Sequence, residues 1–216
     1  MPKISQLRRD ERRQQILDAA LACFSDDGFH QTGMAEIVRR SGLSHGAVYG
    51  YFPSKDDIIE ALSDDRHQRE ALLNEVALQT RDPIDGLHRL VRAYGAWLND
   101  AKGTPGRRVG VHGWAEALRN DRVRALVVAG IDAPRATIRE LIERGQRSGQ
   151  ISKRVSADAV ARSLIALFQG FVLQISWGES IDIDACVTAV DHMLQGLVLA
   201  GGTARSSRAA KAQSDA

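Results

Sequence analysis

The sequence predicts an all-α fold of about nine helices in two parts: three helices at the N-terminus, two of them short, then a longer helical remainder. Three observations predict it. Apolar residues recur at helical spacing nearly throughout, as Ile16, Ala20, Cys23 and Phe24 do at i, i+4, i+7 and i+8. β-Branched residues are scattered, and no alternating run reaches strand length. Helix start and stop residues crowd the stretch from Asp26 to Asp57 and thin out after it, so the helices lengthen there.

The first helix is expected over 7–25, ended by Asp26-Asp27-Gly28, with Gly28 suited to a left-handed cap. A second follows over 33–40, with Thr32 as its N-cap. Gly42 and Leu43 make a turn in which glycine takes positive φ and the leucine folds back onto the core. Ser44 caps a short third helix over 44–49, and Leu43 and Val48 stand at the hydrophobic-staple positions. Pro53 breaks the chain, and Ser54 with Asp57 forms a capping box that opens a helix over 54–78. Asp82-Pro83 opens the next, ending near Ala101, and 103–106 reads as a loop. Helices are then expected over 109–119, over 121–147 with a kink or division at Pro134, over 157–177 and over 183–199. The domains are therefore read as 1–53 with a basic arm, 54–200, and a disordered tail of Gly, Ser, Ala and Arg over 201–216.

Composition bounds the function. With 216 residues and 44% apolar content the chain can bury a real core, and its net charge of +2 does not by itself announce a nucleic-acid binder. The distribution says more: Lys3, Arg8, Arg9, Arg12 and Arg13 load the N-terminal edge, which suits either phosphates or plain solvation. No apolar run is read as approaching the roughly 20 residues of a membrane span, and no secretory signal is present, so a cytoplasmic protein is expected. Cys23 and Cys186 are far apart, and no Cys or His stands at metal-ligand spacing, so neither disulfide, metal nor cofactor is expected. Without a Gly-rich phosphate loop or a nucleophile motif, and with the six histidines dispersed, an enzyme is not indicated.

Two short helices joined by a glycine turn are how a helix-turn-helix offers a few side chains to a DNA major groove. In the helix after the turn, His45 is the only long polar side chain of the first turn and can reach a base edge or a phosphate; the alternative is a solvated surface histidine. Gly46 costs roughly 1 kcal/mol against alanine within a helix, and close approach to DNA or to another helix would each explain it. Ala47 can touch a thymine methyl, while Ser44, Tyr49 and Tyr51 carry hydroxyls that can reach phosphates. Lys55 sits at the first position of a helix, where the macrodipole disfavours a cation; a phosphate would reverse that, and the alternative is that it points to water.

The order Thr32-x4-Ile37-x4-Gly42-Leu43-Ser44-x3-Val48-Tyr49-x-Tyr51-Phe52-x-Ser54-Lys55 closely resembles the N-terminal signature of the tetracycline-repressor (TetR) family of bacterial regulators, over about residues 12–62. Gly33 and Gly50 depart from the commonest pattern and remove possible phosphate contacts. The resemblance implies a DNA-binding regulator, most simply a repressor released from a palindromic operator by a small molecule. It places His45, Gly46 and Tyr49 nearest the bases, and Ser44, Tyr51, Lys55 and Thr32 on phosphates. It makes the remaining helices a ligand-binding and dimerisation domain. For an apolar or aromatic effector the candidate wall residues are Tyr94, Trp97, His112, Trp114, Phe168 and Phe171. For a homodimer interface they are Leu164, Leu167, Val190, Met193, Leu194 and Leu197 of the last two helices, which an intrachain core would also explain. A DNA-binding protein of the same fold that answers to another protein is the other reading.

Overall fold

The structure, a computed structural model, describes residues 6–197. Every regular element among the described residues is helical. They are α1 (Gln6–Gln31), α2 (Met34–Ser41), α3 (His45–Tyr51), α4 (Lys55–Leu78), α5 (Pro83–Asn99), α6 (Thr104–Glu116), α7 (Asp121–Ser148), α8 (Ala157–Ser176) and α9 over 183–197. A 3-10 turn, Ala101–Gly103, precedes α6. Lys3 of the basic arm, the expected helix end at Leu199 and the tail over 201–216 lie outside the described residues.

Contacts divide the chain into two compact units, each built from separated segments. The first takes the chain up to Gln68 together with Lys102–Gly130; the second takes Arg69–Ala101 and the chain from Ile131 onward. The sequence-based boundary at 53/54 falls inside the first unit, because α6 packs along α1.

The core of the first unit joins the α1 stripe, Ile16, Ala20, Cys23 and Phe24, to Ile37, Val48, Phe52, Ile58 and Val123. These side chains remove apolar area from water on five helices at once, the isoleucines, valines and phenylalanines each worth about 1.5–3 kcal/mol when fully buried. Gly28 does take positive φ (73°, with ψ 174°), non-helical backbone at which the long helix ends in a kink, and one further turn runs on to Gln31. That turn swings Phe29 back against Phe24, ring centroids 4.8 Å apart and edge to face. A Cβ on residue 28 would lie 3.1 Å from Nδ1 of His112, so α6 fills the space the glycine leaves.

In the second unit Ala77, Leu87, Leu90, Ile138, Leu141, Ile142, Ile151, Ala161 and Leu194 form the core. Three expectations change here and beside it. The 103–106 loop is the start of α6, because Pro105 falls in the first helical turn, where its missing N–H costs nothing. Pro134 does not divide α7, which runs unbroken from Asp121 to Ser148. The proline deprives the Gly130 carbonyl of its donor, at the point where the helix leaves the first unit. Finally, α8 is long and apolar enough, by length and composition, to cross a membrane, although Asp158 and Arg162 interrupt it and its Ala161 and Val172 are buried within this fold.

Candidate functional site

The turn and the third helix are held by local chemistry that the residues dictate. Gly42 adopts the left-handed conformation (φ 68°) and returns its N–H to the Arg39 carbonyl. Leu43 packs against the first core, and the Ser44 hydroxyl accepts the Ala47 N–H at 3.3 Å. Gln15 donates to the Ser41 carbonyl at 2.7 Å, which ties the end of α2 to α1. Val48 and Phe52 are buried, and the Arg13 guanidinium lies 5.7 Å over the Phe52 ring. The backbone of the turn thus has little freedom left to lose on binding.

With Val48 fixed inward, α3 turns one face to solvent. Ser44, His45, Gly46, Tyr49 and Gly50 are exposed, Ala47 is half-exposed, and Tyr51 is half-buried against the core. The His45 and Tyr49 rings stack, centroids 4.2 Å apart and planes 24° from parallel. A Cβ on Gly46 or Gly50 would meet nothing within 4 Å. No neighbouring helix therefore explains Gly46; what the glycines leave is bare backbone beside a pair of rings.

Two expected phosphate contacts face inward instead. Thr32 is 1% exposed, and its hydroxyl donates to the carbonyls of Gly28 (2.8 Å) and Cys23 (3.2 Å), closing the kinked end of α1. Nor does it cap α2, whose N-cap is Gly33 without a side-chain bond. The Lys55 ammonium donates to the carbonyls of Phe29 (2.6 Å) and Thr32 (3.1 Å). A cation at the start of α4 is tolerated because it meets orphan carbonyls at and just past the C-terminal end of α1. The predicted capping box is present: the Ser54 N–H donates to Asp57 at 2.9 Å and the Asp57 N–H donates to Ser54 Oγ at 3.3 Å. Hydrogen bonds from Ser54, and then from Arg122, hold the Asp57 carboxyl below its ordinary pKa.

The second unit contains a cavity of about 80 Å³, walled by α5, α7, α8 and α9. Tyr94, Phe168 and Phe171 line it, with Tyr94 edge-on to Phe168 at 4.8 Å. Trp97 lies beside the same phenylalanine, 5.6 Å between ring centroids and tilted by 38°, without lining the cavity. His112 and Trp114 do not belong to it, since α6 lies in the first unit and carries His112 against Gly28. No α4 residue lines it either. Sequence reading missed Leu87, Val91, Leu98, Ile138, Cys186 and Val187. The α5 stripe Leu87, Val91, Tyr94 and Leu98, at i, i+4, i+7 and i+11, was the available signal for half of that wall.

The expected interface residues split between two faces. Val190 and Leu194 are buried, Leu164 and Leu197 pack against the second core, and Leu164, Leu167 and Val190 line the cavity. Only Leu167 (38%) and Met193 (60%) are substantially exposed. The apolar residues on α9 serve the intrachain core because they follow i, i+4, i+7 from Val190, while Met193 falls a position off that line.

Comparison with known proteins bears directly on this arrangement. Residues 16–62 match the model described as bacterial regulatory proteins of the tetR family, and residues 83–199 match that of the BetI-type transcriptional repressor C-terminal domain. The chain belongs to the TetR family. It is accordingly a DNA-binding transcriptional regulator, and α2–Gly42–α3 is its helix-turn-helix. Among curated relatives, the regulator UidR of Escherichia coli K12 is 28% identical over 176 residues, 80% of this chain and 82% of UidR. BetI of Serratia proteamaculans is 41% identical over 61 residues, 28% of this chain and 30% of its own. Among solved structures, Salmonella enterica GusR is 26% identical with a TM-score of 0.71, covering 91% of this chain and 99% of GusR. A SmeT–triclosan complex shares the fold with a TM-score of 0.72 at 22% identity, over 86% of this chain and 90% of SmeT.

Proposed function

We propose that this family member is a homodimeric repressor that holds a palindromic operator through α3 of each copy and leaves it when a small, uncharged, apolar or aromatic molecule enters the second unit. The observation that carries the DNA half is the outward face of α3, with His45, Gly46, Ala47 and Tyr49 toward the bases and Ser44 and Tyr51 at its edges. Bare backbone at Gly46 and Gly50 supports close approach to the groove floor. So few side chains read so little sequence that DNA shape carries part of the selection.

The cavity supports the ligand half. Its walls carry no charged group; only the Tyr94 hydroxyl and the Cys186 thiol are polar. A charged ligand would enter at a large desolvation cost, and a neutral ring or chain would not. At about 80 Å³ the space is smaller than the roughly 150 Å³ that admits benzene, so a ligand must push wall side chains aside. That displacement is what lets it favour one conformation over another. Linkage then converts the preference into operator release, and a near-complete switch needs about 5.5 kcal/mol of differential affinity. Leu167 and Met193, exposed on α8 and α9, support pairing of two copies, and a two-fold pair matches an operator with two-fold symmetry.

The test is fluorescence anisotropy of the full chain with duplex DNA from upstream of its own gene, against a scrambled duplex, in 50 and 200 mM salt. Tight, sequence-selective binding as a dimer is expected, and neutral aromatics that raise the melting temperature should release it. Equal binding to both duplexes, or release by charged compounds alone, overturns the reading.

A further inference from the structure

On the solvent face of α3 two aromatic rings lie one turn apart and flat against each other: His45 and Tyr49, centroids 4.2 Å apart and planes at 24°. The residues beside them on the same face, Gly46 and Gly50, have no side chain, and nothing else lies within 4 Å of where one would begin. The other α3 side chains after the Ser44 cap, Ala47, Val48 and Tyr51, are half-buried or buried. An imidazole on a helix surface ordinarily samples several rotamers, and binding must select one. Here the choice is made before DNA arrives, because the tyrosine ring offers the imidazole a flat partner on one side.

We infer that Tyr49 is a positioning residue for base recognition by His45, and that the two rings read DNA as one rigid unit. The imidazole edge has one N–H donor and one ring-nitrogen acceptor, or two donors when protonated. Held edge-outward by the stack, it can meet a purine N7 or O6 in the major groove at one base pair per half-site. Tyr49 contributes by its ring rather than its hydroxyl. The glycines at 46 and 50 keep the flanks clear, so the stack is the single projection that enters the groove.

The inference rests on the DNA-binding reading, and its test separates the two. The full chain is first used to select its preferred duplex from a randomised pool; if no sequence is enriched, the DNA-binding reading itself fails. If one is, discrimination against single-base variants is measured for His45→Ala, Tyr49→Leu, Tyr49→Phe and the His45→Ala/Tyr49→Leu pair. Tyr49→Leu should lose about tenfold of discrimination at the base pair that His45→Ala also relaxes, the double variant should lose no more than the larger single, and Tyr49→Phe should retain it. The salt slope should stay unchanged in all of them. The free proteins give an independent readout: the upfield ring-current shift of the His45 carbon-bound protons should persist in Tyr49→Phe and vanish in Tyr49→Leu. Additive losses, loss at a different base pair, or a uniform weakening with a flatter salt slope in Tyr49→Phe would overturn the pairing and make Tyr49 a separate phosphate contact.

Discussion

Both units close a helix C-terminus with a cation from another helix. In the first, Lys55 reaches the carbonyls of Phe29 and Thr32; in the second, Arg144 reaches those of Leu78 (2.8 Å) and Thr80 (2.6 Å). What each unit places beyond that clamp differs. The first presents a short helix whose buried side is packed and whose outer side is almost bare, with Val48 at 0% exposure and open space where a side chain at Gly46 would begin. The second leaves a void between helices, bounded by leucines, valines and aromatic rings. Directional bonds set the geometry of the surface that must match DNA, while contacts that any apolar body can replace surround the cavity. Recognition of a stiff partner calls for the former, and response to a small molecule calls for side chains that can move.

The contrast can be broken most sharply at Gly28. Its backbone, at φ 73° and ψ 174°, is one that essentially only glycine adopts, and a methyl would press on His112. Gly28→Ala should cost about 3 kcal/mol of stability in urea unfolding. A loss below about 0.5 kcal/mol would mean that the kink is soft and the first unit not rigid.

Next comes Lys55→Met. Removing two charge-assisted bonds should cost about 2 kcal/mol and leave the salt dependence of DNA binding as it was. A flattened salt slope with unchanged stability would return Lys55 to a phosphate and refute its role as a clamp.

Gly46→Ala sets stability against function. With open space around it, the alanine should stabilise the protein by about 0.5–1 kcal/mol while weakening operator binding. Stabilisation without loss of affinity would show that the bare strip has no part in docking.

The smallest effect is expected at His67. Burial, and then the Arg66 charge, lowers its pKa below the ordinary value, so the unfolded chain takes up a proton more readily than the folded one. Stability should be flat above the ordinary histidine range and decline as pH falls from there toward the folded-state pKa. His67→Asn should remove part of that decline in a denaturation series from pH 7.5 to 5; an identical profile would show that the histidine is not desolvated.

Much of the DNA-facing half was legible in the chain because its determinants are local. Gly42, Leu43, Ser44, Val48 and the Ser54–Asp57 box each act on a partner no more than five residues away, so their spacing alone specifies turn, cap and staple. The TetR family itself was readable there for the same reason. Only the folded structure decided the rest, since it depends on residues far apart in sequence: that Thr32 and Lys55 turn inward to carbonyls, that His112 fills the space at Gly28, and that Val190 and Leu194 are buried within their own chain. An apolar or polar side chain declares that it needs a partner, but which partner it finds is settled by packing, where distant helices compete for the same face.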